Sequence, residues 1–196
     1  MTTKIKVPII VKGDNNSEHL GLVHIYTGDG KGKTTSSFGL AMRAGGQGLK
    51  VIIFQFLKPK SLITGEEISA KKIRNLKVVK YEQEHPMFRG GGRRAKGEEE
   101  IKKSVQRMML DVKKAIFSKK YDMVILDEVI NVIDQGFAGK REFLELIRKT
   151  PEGVELVLTG RGDISEIEEF ADYITIMIDK KHPFRQYVNA RRGIEY

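Results

Sequence analysis

Residues 27–35 read Thr-Gly-Asp-Gly-Lys-Gly-Lys-Thr-Thr and follow the apolar run Leu22-Val23-His24-Ile25-Tyr26. A strand that feeds a glycine-rich turn ending in Gly-Lys-Thr is suited to holding a chain of phosphates. Gly28, Gly30 and Gly32 leave room for backbone N–H groups to turn inward. Lys31 and Lys33 bring positive charge, and the Thr34 hydroxyl is of the type that ligates Mg²⁺. A helix starting beside Thr34 and Thr35 adds the positive end of its dipole. The common form of this loop has glycine five residues before the Gly-Lys pair, where this chain has Thr27. The phosphate chain is therefore expected to sit differently from its place in an ordinary kinase.

Two further stretches carry chemistry. Met123-Val124-Ile125-Leu126-Asp127-Glu128 is an apolar strand ending in two carboxylates, the usual acidic partner of a phosphate loop. Glu128 is either a metal ligand or a base that activates water, and the residues alone leave both open. Val157-Leu158-Thr159-Gly160-Arg161-Gly162 is another strand, followed by an arginine between glycines. That guanidinium can pair with a phosphate in fork geometry. The basic, glycine-rich stretch 85–94, with Phe88, reads either as a lid or second-substrate loop or as a disordered excursion. His19, His24, His85 and His182 have no metal-ligand spacing.

These motifs need a scaffold that brings strand ends together. Apolar runs occur at 22–27, 51–56, 76–81, 123–126, 154–159 and 173–178, rich in Val and Ile with little alternation, as in a sheet buried on both faces. Helical spacing appears between them, at Ile101, Val105, Met108, Val112 and Ile116, and at Phe143, Leu144 and Ile147. The expectation is a P-loop NTPase-like α/β fold, with a mostly parallel sheet and helices on both faces. Ligands in such folds bind beyond the carboxyl ends of the strands. Residues 1–20 read as a polar N-terminal arm and 21–196 as one domain.

Composition narrows the classes. The chain of 196 residues contains no cysteine, which excludes disulfides and thiolate metal sites. No apolar run is long enough to cross a membrane, and no leader with a small-residue cleavage site is recognised, so a cytoplasmic enzyme is expected. The net charge of +9 favours anionic ligands. It fits nucleotides, or a heat-stable type of surface, as well as nucleic acid. The absence of a ribonucleoprotein aromatic motif, zinc finger or arginine-rich tail counts against nucleic acid.

Taken together, the motifs resemble the P-loop type of ATP:corrinoid adenosyltransferase of cobalamin biosynthesis and salvage. The matching stretches are Tyr26–Thr35, Phe38-Gly39, Arg43-Ala44, Phe54–Lys58, Val124–Glu128, Leu158–Gly162, Lys181-His182 with Phe184, and Gly193–Tyr196. The resemblance implies transfer of the 5′-deoxyadenosyl group of ATP to the Co(I) centre of a reduced corrinoid (cobalamin, cobinamide or cobyrinic acid a,c-diamide), with release of triphosphate. Co(I) is itself the nucleophile, which agrees with the lack of a Ser, Cys or His nucleophile here. By resemblance, Gly28, Asp29, Gly30, Lys31, Gly32, Lys33, Thr34, Thr35, Arg43 and Arg161 bind ATP. Thr34 and Glu128 hold Mg²⁺ or Mn²⁺ with Asp127 behind them, and Phe88 faces the corrin. Lys33, Arg161 and Glu128 carry the catalysis. The resemblance further implies a homodimer and a separate electron donor, such as a reduced flavoprotein. A conventional P-loop ATPase or small-molecule kinase is the alternative reading.

Overall fold

The computed structural model describes residues 20–81 and 94–195. The arm at 1–19, His85, Phe88 and most of the expected lid lie outside the described residues. Six strands form one parallel sheet: β1 (Val23–Thr27), β2 (Val51–Gln55), β3 (Leu76–Lys80), β4 (Met123–Asp127), β5 (Glu155–Thr159) and β6 (Tyr173–Ile176). Their spatial order is β3-β2-β4-β5-β1-β6. The helices are α1 (Lys33–Gly46), α2 (Gly65–Ala70), α3 (Arg94–Phe117), α4 (Val129–Asp134) and α5 (Lys140–Arg148).

The period-two geometry of strands explains why the central runs show little alternation. Ile52, Phe54, Val124 and Leu126 face one side and pack with Ile101, Val105 and Met108 of α3 and Phe143 of α5. Val51, Ile53, Met123 and Ile125 face the other side and pack with Phe38, Ala41 and Ala44 of α1. Both faces of β2, β4 and β5 are therefore covered, and every residue of these strands is buried. Burying each large apolar side chain contributes about 1.5–3 kcal/mol. α3 is also pinned to the sheet side by the Tyr81 hydroxyl, which donates to Asp111.

The last strand departs from the expected burial on both faces. β6 sits at the sheet edge beside β1, and all four of its residues are exposed. An apolar run at an edge has the same composition as one at the centre, so its sequence does not announce the difference.

Register sets the site. Gln55 lies opposite Asp127, and Tyr26 opposite Thr159. The carboxyl ends of β1, β2, β4 and β5 thus finish at one level, with their loops around a common cleft.

Candidate nucleotide and metal site

The loop after β1 turns into α1 at Gly32, whose φ of 123° lies in the region that favours glycine. Gly28 is glycine for a further reason. A Cβ there would come within 2.4 Å of the Met177 carbonyl oxygen, because the chain leaving β6 passes over the loop. That same carbonyl accepts the Gly30 N–H at 2.7 Å, so this N–H is already engaged within the protein.

The cleft in front of the loop has a volume of about 530 Å³. Gly30, Lys31, Gly32, Lys33, Thr34, Thr35, Glu128 and Arg161 all line it, as do Lys58, Thr64, Glu66, Asn131, Thr159, His182, Ile194 and Glu195. Gly28 and Asp29 line an adjoining cavity of about 640 Å³, which shares Arg161 and His182 with the first. Both volumes are of the size that holds a small-molecule ligand.

Lys33 folds back onto its own loop, donating to the carbonyls of Gly28 and Gly30. Burial lowers its pKa, and the nearby Arg161 adds to the effect. Arg161 is held by two contacts. Its backbone N–H donates to Asn131 Oδ1 at 2.9 Å, and its guanidinium donates to the Asp29 carbonyl at 2.9 Å. The turn carrying it needs Gly160, which has φ 150° and would drive a Cβ to 2.6 Å from Asn131 Oδ1. Lys31 turns towards the C-terminal segment, donating to Glu195 Oε1 at 2.8 Å and to the Ile194 carbonyl at 3.3 Å.

Asp127 lies under the cleft, fully buried, and four side chains donate to it. Oδ1 accepts from Thr34 Oγ1 at 2.9 Å and Thr159 Oγ1 at 2.8 Å. Oδ2 accepts from Lys58 Nζ at 2.7 Å and Gln55 Nε2 at 3.1 Å. Burial by itself pushes its pKa up, but Lys58 and the hydrogen bonds outweigh that and hold it below the usual carboxylate range. Glu128, next in the chain, has left-handed backbone at φ 65° and begins α4. Its N–H donates to Thr159 Oγ1 at 2.9 Å. Burial raises its carboxyl pKa to about 7, against the opposing pull of Lys58.

Three buried polar atoms near this cluster have no partner among the described residues: Gln55 Oε1, Thr64 Oγ1 and Glu66 Oε2. Thr64 and Glu66 also line the cleft. Such atoms cost free energy unless a ligand, water or ion satisfies them. Their segment is fixed from behind by Lys80, whose buried ammonium donates to the Leu62 carbonyl and to Glu67 Oε2, both at 2.7 Å.

Most of the expected site residues are therefore gathered together. Arg43 is not: it is exposed near the far end of α1, roughly 15 Å of helix rise from Lys33. Phe88 lies outside the described residues. No motif gives a role to Gln55, Lys58, Thr64, Glu66, Asn131 or Thr159, which also meet here. The available signal for Lys58 and Thr159 was a polar residue at or just past the carboxyl end of a buried strand.

The oxygens of Thr34, Asp127 and Glu128 are the hard donors that Mg²⁺ selects, and their shared position already accommodates a positive charge, that of Lys58. The residues thus fit a magnesium ion, and the glycine loop with Lys33 and Arg161 fits a phosphate-bearing ligand.

A strand–loop–helix of this form, with an acidic strand end one strand removed across β5, defines a P-loop nucleotide-binding α/β protein. Comparison with known proteins narrows the class: residues 19–196 match the family ATP:corrinoid adenosyltransferase BtuR/CobO/CobP, and the chain belongs to that family. It is 28% identical over 193 residues to the corrinoid adenosyltransferase of Escherichia coli K12, covering 98% of this chain and 94% of that one. The same identity and coverage relate it to corrinoid adenosyltransferase CobA of Salmonella typhimurium LT2. It is 29% identical over 176 residues to the Pseudomonas aeruginosa PAO1 corrinoid adenosyltransferase, covering 90% of this chain and 84% of the relative. No helix among the described residues is long and apolar enough to cross a membrane.

Proposed function

We propose that this chain moves the 5′-deoxyadenosyl group of ATP onto the cobalt of a reduced corrinoid and releases triphosphate. The observation that carries the reading is the linked cluster of Thr34, Asp127 and Lys58 beneath a glycine loop that opens on a ligand-sized cleft. The new bond forms between cobalt and ribose C5′. The electron pair comes from Co(I), and the C5′–O bond breaks with its pair going to the triphosphate. The protein supplies position and charge.

Residues 28–35 cradle the triphosphate. Lys33 leaves the loop carbonyls for the phosphate oxygens, and Arg161 balances the charge that develops on the leaving group. Thr34 and Glu128 hold a magnesium (or manganese) ion, with Asp127 orienting Thr34 from below. When bound, that ion supplies charge neutralisation on the polyphosphate. Phe88 is the aromatic assigned to the corrin face. The reading extends to residues 21–196 as the catalytic unit, to a homodimer, and to a cytoplasmic enzyme served by a reduced flavoprotein or similar donor. The net charge of +9 supports docking of an acidic donor.

The test is incubation with ATP, Mg²⁺ and chemically reduced cobalamin. A light-sensitive cobalt–carbon product with stoichiometric triphosphate is expected. Formation of ADP without that product would establish a phosphotransferase or ATPase instead. Phe88→Ala is expected to slow adenosylation of complete cobalamin more than that of cobinamide, and equal effects would remove Phe88 from the corrin face.

A further inference from the structure

The Lys58 ammonium lies beside the oxygens to which the metal is assigned. Its Nζ lies 2.7 Å from Asp127 Oδ2, 3.4 Å from Thr34 Oγ1 and 4.0 Å from Glu128 Oε1. An ammonium held this close to these oxygens and a divalent ion bound to them repel each other strongly at short range. The placement makes sense without nucleotide. Asp127 is fully buried, and a buried carboxylate without a counter-charge is costly. Lysine suits a temporary counter-charge, being a point charge on a four-carbon rotatable stem.

A second place for the ammonium is also present. Glu66 lines the same cleft, its Oε2 is buried without a partner, and its charge acts on Lys58. The hydrogen bonds of Lys80 to Leu62 and Glu67 brace the segment that carries Glu66.

We propose that Lys58 is a displaceable occupant of the cation position. In the nucleotide-free protein its ammonium fills the place between Asp127, Thr34 and Glu128. It gives up that place when metal arrives with nucleotide, and moves to the Glu66 side of the cleft and the incoming phosphates. Metal and nucleotide therefore enter together, and the empty protein binds the metal poorly. This rests on the metal assignment made above. Lys58 acts as a positioning residue for the metal.

The probe is Mn²⁺, titrated onto nucleotide-free protein, with free ion read from its aqueous paramagnetic resonance signal. Lys58→Gln removes the charge but keeps a hydrogen-bond donor for Asp127, which limits the loss of stability. It is expected to bind Mn²⁺ at least about tenfold more tightly than wild type, within the usual range of coupling between sites. Lys58→Arg keeps the charge and is expected to bind as weakly as wild type. Adding Thr34→Val to Lys58→Gln is expected to abolish the gain. A merely structural lysine would not raise metal affinity when removed. If Lys58→Gln binds no more tightly than wild type, while Thr34→Val weakens the Mn²⁺–ATP complex of the wild type, the role of Lys58 is overturned and the metal assignment stands. If the gain survives Thr34→Val, the ion lies elsewhere and both fall. A tenfold gain in Lys58→Arg, the variant to use should Lys58→Gln melt below assay temperature, also overturns the proposal.

Discussion

Neighbouring strands β4 and β5 each carry a buried acid, at opposite ends of the sheet, and the two are partnered in different ways. Glu155 opens β5 at the amino end of the strands. Its Oε2 accepts the backbone N–H groups of Gly21 and Leu22, both at 3.0 Å, and its Oε1 lies 2.6 Å from His24 Nε2. His24 in turn stacks on Tyr173, ring centroids 4.6 Å apart, which ties β5, β1 and β6 together. Asp127 closes β4 at the other end, and all four of its donors are side chains. Backbone partners can leave only if the chain entering β1 moves, whereas side-chain partners can rotate away. The amino end is therefore a fastening and the carboxyl end an exchangeable set, which is what a site that must admit substrate and cation requires.

The largest effect is expected at the loop. Lys33→Ala is expected to cost about 10²–10³-fold or more in adenosyl transfer while leaving the melting temperature near wild type, since its present bonds only satisfy carbonyls of its own loop. Near-normal turnover would contradict the phosphate role. Asp127→Asn comes next and strikes both stability and activity. It strands Lys58 against a neutral amide, so unfolding by denaturant is expected to come about 3 kcal/mol more easily, the typical cost of breaking a buried pair. Transfer should fall in parallel.

Glu155→Gln tests the other half. Stability is expected to drop by about 1–3 kcal/mol, because a neutral amide oxygen replaces the carboxylate oxygen shared by two backbone N–H groups and the amide NH₂ replaces the oxygen facing His24 Nε2, with kcat unchanged. Burial opposes ionisation of Glu155, but the hydrogen bonds from His24, Gly21 and Leu22 hold its pKa below the ordinary 4.5. The stability it contributes is thus present above pH 4.5 and lost as pH falls through its lower folded value. Thermal melts of wild type and variant should converge below that point, and a gap that widens with acid would refute the assignment. The smallest effect belongs to Arg43→Ala. From its exposed place along α1, it is expected to change the KM for ATP by less than about twofold, as for an ordinary surface substitution. A large rise would mean that the cleft extends further than its lining residues indicate.

The fastening and the exchangeable set were not equally visible in the amino-acid order. The glycine loop, Asp127-Glu128 and the Gly160-Arg161-Gly162 turn are contiguous, so their chemistry is legible one segment at a time. The central strands were legible too, because burial on both faces leaves long Val and Ile runs. Lys58, Gln55 and Thr159 meet Asp127 only because β2, β4 and β5 are neighbours, and strand order is not written in any one segment. The same holds for Gly28 and Gly30. Their glycines read as phosphate-loop residues, but the structure adds a second reason in the Met177 backbone that crosses them. Arg43 was placed by resemblance to a motif position, and the rise of α1 carries it away from the cleft.

The strand order also bears on how the molecule is made. β1 lies between β5 and β6, the last two strands in chain order. Thr34 and Asp127 are 93 residues apart in the chain. On a ribosome adding about 5–20 residues per second, the first strand waits on the order of ten seconds for its flanking neighbours to emerge. Throughout that interval it is an unpaired apolar segment in need of shielding. Such long-range parallel pairing also slows refolding in vitro. Nucleotide added during renaturation can therefore trap only the finished sheet, and it should raise the yield of active enzyme without accelerating the earliest phase.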